Sequence, residues 1–274
     1  MRAVFLERLF QQMKQDESIF FLTADMGINL VEKFEEEFPN RFMNVGIAEQ
    51  NLIGVAAGLS SSGMRPYVYT ISNFLVHRCF EQIRNDLIIH ELPVVLIGTS
   101  TGFDNGPLGP THHMVDEWGT LAGLPGINIY APYNEESTDR IFDIVYQRTA
   151  PSYVRIAKGK GIATPALIKP QDKGTSAVLT YGSACTYAAE YAQKSHRDLI
   201  IVEELGLGSF SALDKKCGEY SDIVVIEDHF AHSGMYSYLS QWASLREQNI
   251  KLLSVSPKGY SLTAGFEFGD FDFT

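Results

Sequence analysis

The sequence predicts an α/β protein of two units, each a parallel sheet covered on both faces by helices. Apolar runs of strand length alternate with stretches of helical periodicity. Turn residues such as Asp25-Met26-Gly27 and Pro39-Asn40 punctuate them. The alternation lapses once, over residues 158–174, where three lysine–glycine pairs and two prolines replace any periodicity, and then restarts. The expected organisation is a first domain over 1–157, a linker over 158–174 and a smaller domain over 175–274.

Residues 1–15 place Val4, Phe5, Leu6, Leu9, Phe10 and Met13 at helical spacing, with Glu7, Arg8 and Lys14 between them. That pattern is an amphipathic core helix; a signal peptide needs an uncharged apolar block and a cleavage site. A buried strand over 18–24 and a helix carrying Leu30, Phe34 and Phe38 follow. Phe42-Met43 leads through a turn at Gly46 into a helix over 47–60, which puts Glu49 in the first turn, where free N–H groups and the helix dipole favour a carboxylate. Gly54, Ala56, Ala57 and Gly58 leave this helix thin enough for close approach by a second one, so it is also the expected surface of self-association.

A strand over 65–70, an amphipathic helix over 73–89 with Phe74, Phe80, Ile83 and Leu87 inward, and a strand over 92–99 come next. A loop over 102–113 is rich in glycine. A helix over 115–123, a strand over 127–130, a helix over 135–148 and a strand over 152–156 complete the first unit. The second reads as strands over 177–181, 199–202, 223–226 and 251–255, with helices after the first and after Gly234. The tail over 266–273 alternates aromatic and acidic residues, as an edge strand, a docking segment or a loosely held terminus would.

A net charge of -11 without a basic stripe argues against a nucleic-acid partner. No apolar run exceeds strand length, so no membrane span is expected, and cytoplasm is the default location. The three cysteines, Cys79, Cys185 and Cys217, are far apart, lack metal-type spacing and read as thiols of a reducing compartment. No metal site is expected in this chain. The glycines of the 102–113 loop are not followed by Gly-Lys-Ser/Thr, so a P-loop is excluded. On their own, Glu49 is an acidic helix start, Asp25 a helix cap, Phe74 a core aromatic and His112-His113 an incidental pair. Glu227-Asp228-His229 has the composition of a catalytic cluster but reads as a strand-end loop.

Four separated segments change those readings: TADMG, NVGIAEQN, FEQIRND and GPTHH, in that order. The chain from about residue 2 to 255 resembles the C-terminal half of transketolases, a pyrimidine-binding domain followed by a C-terminal domain of undetermined role. The resemblance implies thiamine diphosphate as cofactor. Glu49 then matches the acid that hydrogen-bonds the cofactor's aminopyrimidine ring, whose own amine helps remove the proton from the reactive carbon. Phe74 matches the aromatic that stacks on that ring, although the family's second aromatic, three residues earlier, is Ile71 here. Asp25 corresponds to a cofactor-lining aspartate, and His112 to a histidine near the substrate that exchanges protons or supports developing oxyanions; His113 follows it.

Arg155 and Arg2 align with arginines that hold an acceptor phosphate, a natural pairing, and Arg78 with an arginine of related synthases. Where transketolases carry a histidine and an acidic residue facing the sugar hydroxyls, this chain has Ser100 and Leu108, which implies an unusual acceptor. The family's Gly-Asp-Gly pattern with a downstream Asn, which binds magnesium and the diphosphate, is absent from the sequence. The Mg2+ ligands are therefore expected on a separate N-terminal subunit, in a two-plus-two heterotetramer with sugar or sugar-phosphate substrates and no membrane or nucleic acid. The chain is similar to the C-terminal subunit of a split transketolase; a 2-oxo acid dehydrogenase β-like subunit, a deoxyxylulose-phosphate-synthase-like subunit and a non-catalytic scaffold share its fold.

Overall fold

The computed structural model describes residues 1–159, 161–162, 175–206, 211–247 and 249–260. The expected linker lies largely outside the described residues, and the aromatic–acidic tail entirely so. Strands β1 (Ile19–Thr23), β2 (Phe42–Asn44), β3 (Arg65–Ile71), β4 (Val95–Thr99), β5 (Asn128–Tyr130) and β6 (Ser152–Ile156) form one parallel sheet in the order β2-β1-β3-β4-β6-β5. Strands β7 (Ser176–Thr180), β8 (Asp198–Ile201), β9 (Asp222–Ile226) and β10 (Lys251–Val255) form a second, also parallel, in the order β10-β9-β7-β8. Helices α1 (Arg2–Met13), α2 (Glu32–Glu37), α3 (Glu49–Ser61), α4 (Ser72–Val76), α5 (Phe80–Gln82), α6 (Glu117–Ala122), α7 (Glu135–Gln147), α8 (Cys185–Ser195), α9 (Ser211–Cys217) and α10 (Met235–Ser244) lie between the strands in sequence.

Strand alternation sorts the first sheet's side chains into two cores. Leu22, Val68, Leu96 and Tyr153 stand in register across β1, β3, β4 and β6 and face α3 and α4 through Leu52, Ile53, Leu75 and Val76. One position back, Phe21, Tyr67 and Val95 face the opposite layer, built on Phe5 and Leu9 of α1, Phe34 of α2 and Phe142 of α7. The first of these cores continues without a break into the second unit through Trp118, Leu179, Tyr181, Val225 and Leu239.

The helix expected over 73–89 is not one helix. It runs as α4, breaks over 77–79, resumes as α5 and ends in a π-helical turn, Ile83–Ile88. The break frees the Arg78 carbonyl, which accepts a hydrogen bond from the Gln50 side chain of α3 at 3.0 Å. Ile83 and Leu87 face the core as expected, whereas Phe74 and Phe80 are only half-buried. The helix expected from 115 starts at Glu117, because the Val115 carbonyl is bonded by Phe230 N–H of the second unit at 3.1 Å.

The two units share more than apolar surface. Residues 203–205 add an irregular strand to the β5 edge through Ala131 N–H to Glu203 O and Leu205 N–H to Ile129 O, both 2.8 Å. Beneath that edge lies a fully buried ionic network. Arg155 Nε donates to Glu117 Oε1 at 2.7 Å and its Nη2 to Asp228 Oδ2 at 3.2 Å. His229 Nε2 meets Glu117 Oε2 at 2.6 Å, and its Nδ1 meets the Tyr181 hydroxyl at 2.6 Å and Asp228 Oδ1 at 3.2 Å. Tyr181 donates in turn to Glu227 Oε2 at 2.7 Å, and the Glu227 carboxylate accepts the Met235 and Tyr236 N–H groups at the start of α10. With His229 as imidazolium, Nε2–H serves Glu117, Nδ1–H serves Tyr181 and the tyrosine proton serves Glu227, while Arg155 Nη1 is left without a partner among the described residues.

Burial alone lowers the basicity of His229, but Glu117 and Asp228 outweigh it and raise the group to about 9. A folded-state value above the unfolded 6.5 contributes stability that is full below that pH and lost as pH rises through 9. Burial raises Glu227 to about 7, so it is half protonated at neutrality and its remaining titration adds a smaller loss of the same sign. Between pH 7 and 8.5 unfolding should therefore become easier by on the order of 2 kcal/mol. Melting curves of the protein and of His229→Gln across that interval test this: the variant should lose most of the slope, and parallel slopes would refute it.

Candidate functional site

Strand order reverses between β1 and β3, and α/β sheets place ligands outside the carboxyl ends of strands at such a point. The residues that follow those ends gather here. Asp25, after β1, is exposed, in the left-handed region at φ +48°, and donates its N–H to Asn44 Oδ1 at 2.9 Å. The same Asn44 oxygen accepts from Gly46 N–H at 3.0 Å. Asn44 thereby ties the turn after β1 to the turn that launches α3; Gly46, at φ +74°, supplies the left-handed residue that turn requires.

Glu49 opens α3 and is 3% exposed. Its Oε2 accepts from Arg78 Nη1 at 2.6 Å. The Arg78 guanidinium, on a side chain that is 44% exposed, lies 4.3 Å from the centroid of the Phe74 ring. Phe74 is half-buried, and its ring meets that of His112 edge-on at 5.1 Å. His112 is half-buried with Nδ1 2.9 Å from Thr111 Oγ1. The Asn73 amide anchors the adjoining loop backbone by donating to His113 O at 2.9 Å. Glu49, Arg78, Phe74 and His112 thus form one continuous line of contacts from three segments of the chain.

The other expected residues divide. Arg2 opens α1, half-buried beside Tyr69 of β3. Leu108 stands 57% exposed on the short 3-10 turn Gly106–Leu108. Ser100 is buried at the end of β4 with φ +63°. His113 is buried against Phe103, ring centroids 5.0 Å apart, and burial lowers its basicity. Arg155 is removed from the set expected to hold a substrate phosphate: its side chain is wholly buried and committed to Glu117 and Asp228. A phosphate reaching it would have to enter a site without solvent and lie against two carboxylates.

Two carboxylates of the region carry no motif and escape a reading of the sequence. Glu117 is central to the buried network, and Asp116 Oδ1 meets His77 Nε2 at 2.8 Å while its other oxygen accepts from the Tyr260 hydroxyl. The Glu227-Asp228-His229 run lies in a strand-end loop as expected, but buried ionisable residues directly after an apolar strand are a sign of an internal network.

A buried carboxyl at a helix start beside a half-buried aromatic face is a donor set that fits an aminopyrimidine, which offers ring nitrogens to the acid and a flat face to the ring. Around it Ile28, Ile47, Leu108 and Met43 are 82%, 78%, 57% and 42% exposed. Among the described residues no group of three or more His, Cys, Asp and Glu side chains is arranged to hold a metal ion, and no helix is long and apolar enough to cross a membrane.

Residues 1–162 match the family described as the transketolase pyrimidine-binding domain. The chain is 26% identical over 273 residues to one subunit of the apulose-4-phosphate transketolase of Phocaeicola vulgatus, covering 93% of this chain and 86% of that protein. It is 37% identical over 172 residues to 1-deoxy-D-xylulose-5-phosphate synthase of Gloeobacter violaceus, covering 62% of this chain and only 27% of that longer protein. A solved structure described as a split-gene transketolase in an inactive β4 tetramer superposes with a TM-score of 0.77 at 25% identity, over 94% of this chain and 89% of that one.

Proposed function

The chain belongs to the family of the transketolase pyrimidine-binding domain, and from that premise we propose that it is the C-terminal subunit of a split, thiamine-diphosphate-dependent transketolase that moves a two-carbon ketol unit from a ketose to an acceptor. The observation that carries the reading is the buried Glu49 carboxyl, aligned with Phe74 at the reversal point of the sheet. When bound, the cofactor supplies the carbon nucleophile that ketol transfer requires.

In this reading Glu49 holds a ring nitrogen of the cofactor, Phe74 offers its face, and Asp25 lines the rim. Arg78 covers both Phe74 and Glu49 in the free chain and moves off them in the complex. His112, at the end of the line, is placed to exchange a proton with a substrate hydroxyl. Arg2 takes a substrate phosphate. The exposed Ile28, Met43, Ile47 and Leu108 are the side that a separate N-terminal subunit covers, bringing the Mg2+ and diphosphate ligands. The exposed, small-residue face of α3 at Gly54 and Gly58 is where two copies of this chain meet.

The likeness to a deoxyxylulose-phosphate synthase favours a second reading, decarboxylating transfer from pyruvate. Both are tested by reconstituting the chain with the subunit that carries the diphosphate half and offering ketose phosphates, apulose 4-phosphate among them, against pyruvate. Turnover with a ketose at least about tenfold faster than with pyruvate, a gap of about 1.4 kcal/mol in barrier, is expected. A pyruvate-only enzyme would replace the transketolase reading.

A further inference from the structure

The second unit touches the loop that carries His112 at both of the loop's roots. The loop is pinched shut by reciprocal hydrogen bonds between Gly102 and Met114, each 2.9 Å. At the first root, Gly102 has φ +56°, and a Cβ there would lie inside van der Waals contact of Asp228 Oδ2 and 3.0 Å from Ser183 Oγ. Asp228 is itself fixed by Arg155 and by a hydrogen bond from the Ser183 hydroxyl. At the second root, Phe230 N–H bonds Val115 O at 3.1 Å, and the Phe230 ring packs with Phe103 and Val115. Just beyond, His229 meets Glu117, and a Cβ on Gly119 would come within 2.6 Å of Ser233. Phe103 also supports the His113 ring from below.

Resting on the functional reading above, we propose that the Asp228-His229-Phe230 segment of the second unit is the seat that positions the 102–114 loop, and with it His112, for the reaction. The C-terminal unit then acts on the chemistry without touching it. Asp228 sets the backbone of the first root, where only glycine fits. Phe230 holds the second by one hydrogen bond and one apolar contact. The His112 end of the loop leans on α4 through Phe74, so its place depends on roots fixed from the other unit and a tip fixed from the first. Displacements of about 1 Å in such a group cost roughly 100-fold in rate.

Phe230→Ala tests this, with Phe230→Leu as the conservative variant and Gly102→Ala as a second route to the same displacement. In the full chain, amide exchange over residues 102–114 should quicken at least about tenfold in Phe230→Ala and Gly102→Ala, and stay near wild type over 49–61 and in Phe230→Leu. In the reconstituted complex kcat should fall at least about tenfold in the first two, with thiamine diphosphate affinity unchanged within about threefold. Unchanged loop exchange in both variants overturns the inference whatever the enzyme's activity. So does quickened exchange with wild-type kcat. A wild-type complex without turnover on any donor would instead remove the functional reading, and the exchange data alone would then decide whether the seat holds the loop.

Discussion

Replacing Glu49 with alanine lowers kcat of the reconstituted complex by about a thousandfold, the middle of the range for a positioned acid or base, while the chain stays folded. The two halves of that expectation come from different observations. Glu49 is nearly inaccessible, so no solvent group takes its place against the cofactor. Its partner Arg78, however, is 44% exposed and returns to water when the carboxylate is removed. The loss is therefore not that of a buried pair broken on one side; the exposed half keeps the cost to about 1 kcal/mol or less. Loss of the acidic residue from the first turn of α3 adds a few tenths of a kcal/mol at most. Steady-state kinetics at saturating cofactor, beside a melting curve, reads both. Glu49→Gln should also be poor, because the amide cannot give the ring nitrogen a carboxyl proton. Wild-type turnover in Glu49→Ala would mean that the chain keeps the fold as a scaffold and leaves the chemistry to others.

Much of this site is legible in the sequence because it is built locally. Gly46, the first-turn Glu49 and the run of small residues fix a turn and a helix within fifteen residues, and α3 forms where they indicate. The strands are equally plain, since a central parallel strand such as β1 is buried along its whole length and reads as a continuous apolar run. What escapes is what distant residues decide. The break in the 73–89 helix leaves the Arg78 carbonyl to the Gln50 side chain of another helix, and no periodicity within the segment records that.

Arg155 departs from its expected role for a related reason. An arginine at the end of a strand looks the same whether it faces a phosphate or a pair of carboxylates, and here those carboxylates sit 38 and 73 residues away along the chain. The same separation hides the meaning of Glu227-Asp228-His229. Asp228 and His229 meet Arg155 of β6 and Glu117 of α6 in the other unit, and only the folded chain brings them together.

Arg155→Ala should accordingly be the most damaging single change to stability, at about 3–5 kcal/mol, because it leaves Glu117 and Asp228 buried with only His229 between them. For a chain of this size that is a fall of roughly 6–20 °C in melting temperature. The pH dependence separates this cause from simple loss of packing. Burial pushes both carboxyls up, but Arg155 and His229 outweigh it and hold each below the usual carboxylate range. A depressed folded-state value contributes stability that is present above the unfolded value, near 4, and disappears as pH falls through the folded one. The wild type loses that contribution in acid, whereas Arg155→Ala has already lost most of it. The gap between the two melting temperatures should therefore be widest near pH 7 and narrow as pH falls below about 4. A gap of the same size at pH 7 and pH 3.5 would assign the damage to the vacated volume, and the ionic clamp between the two units would lose its role in holding them together.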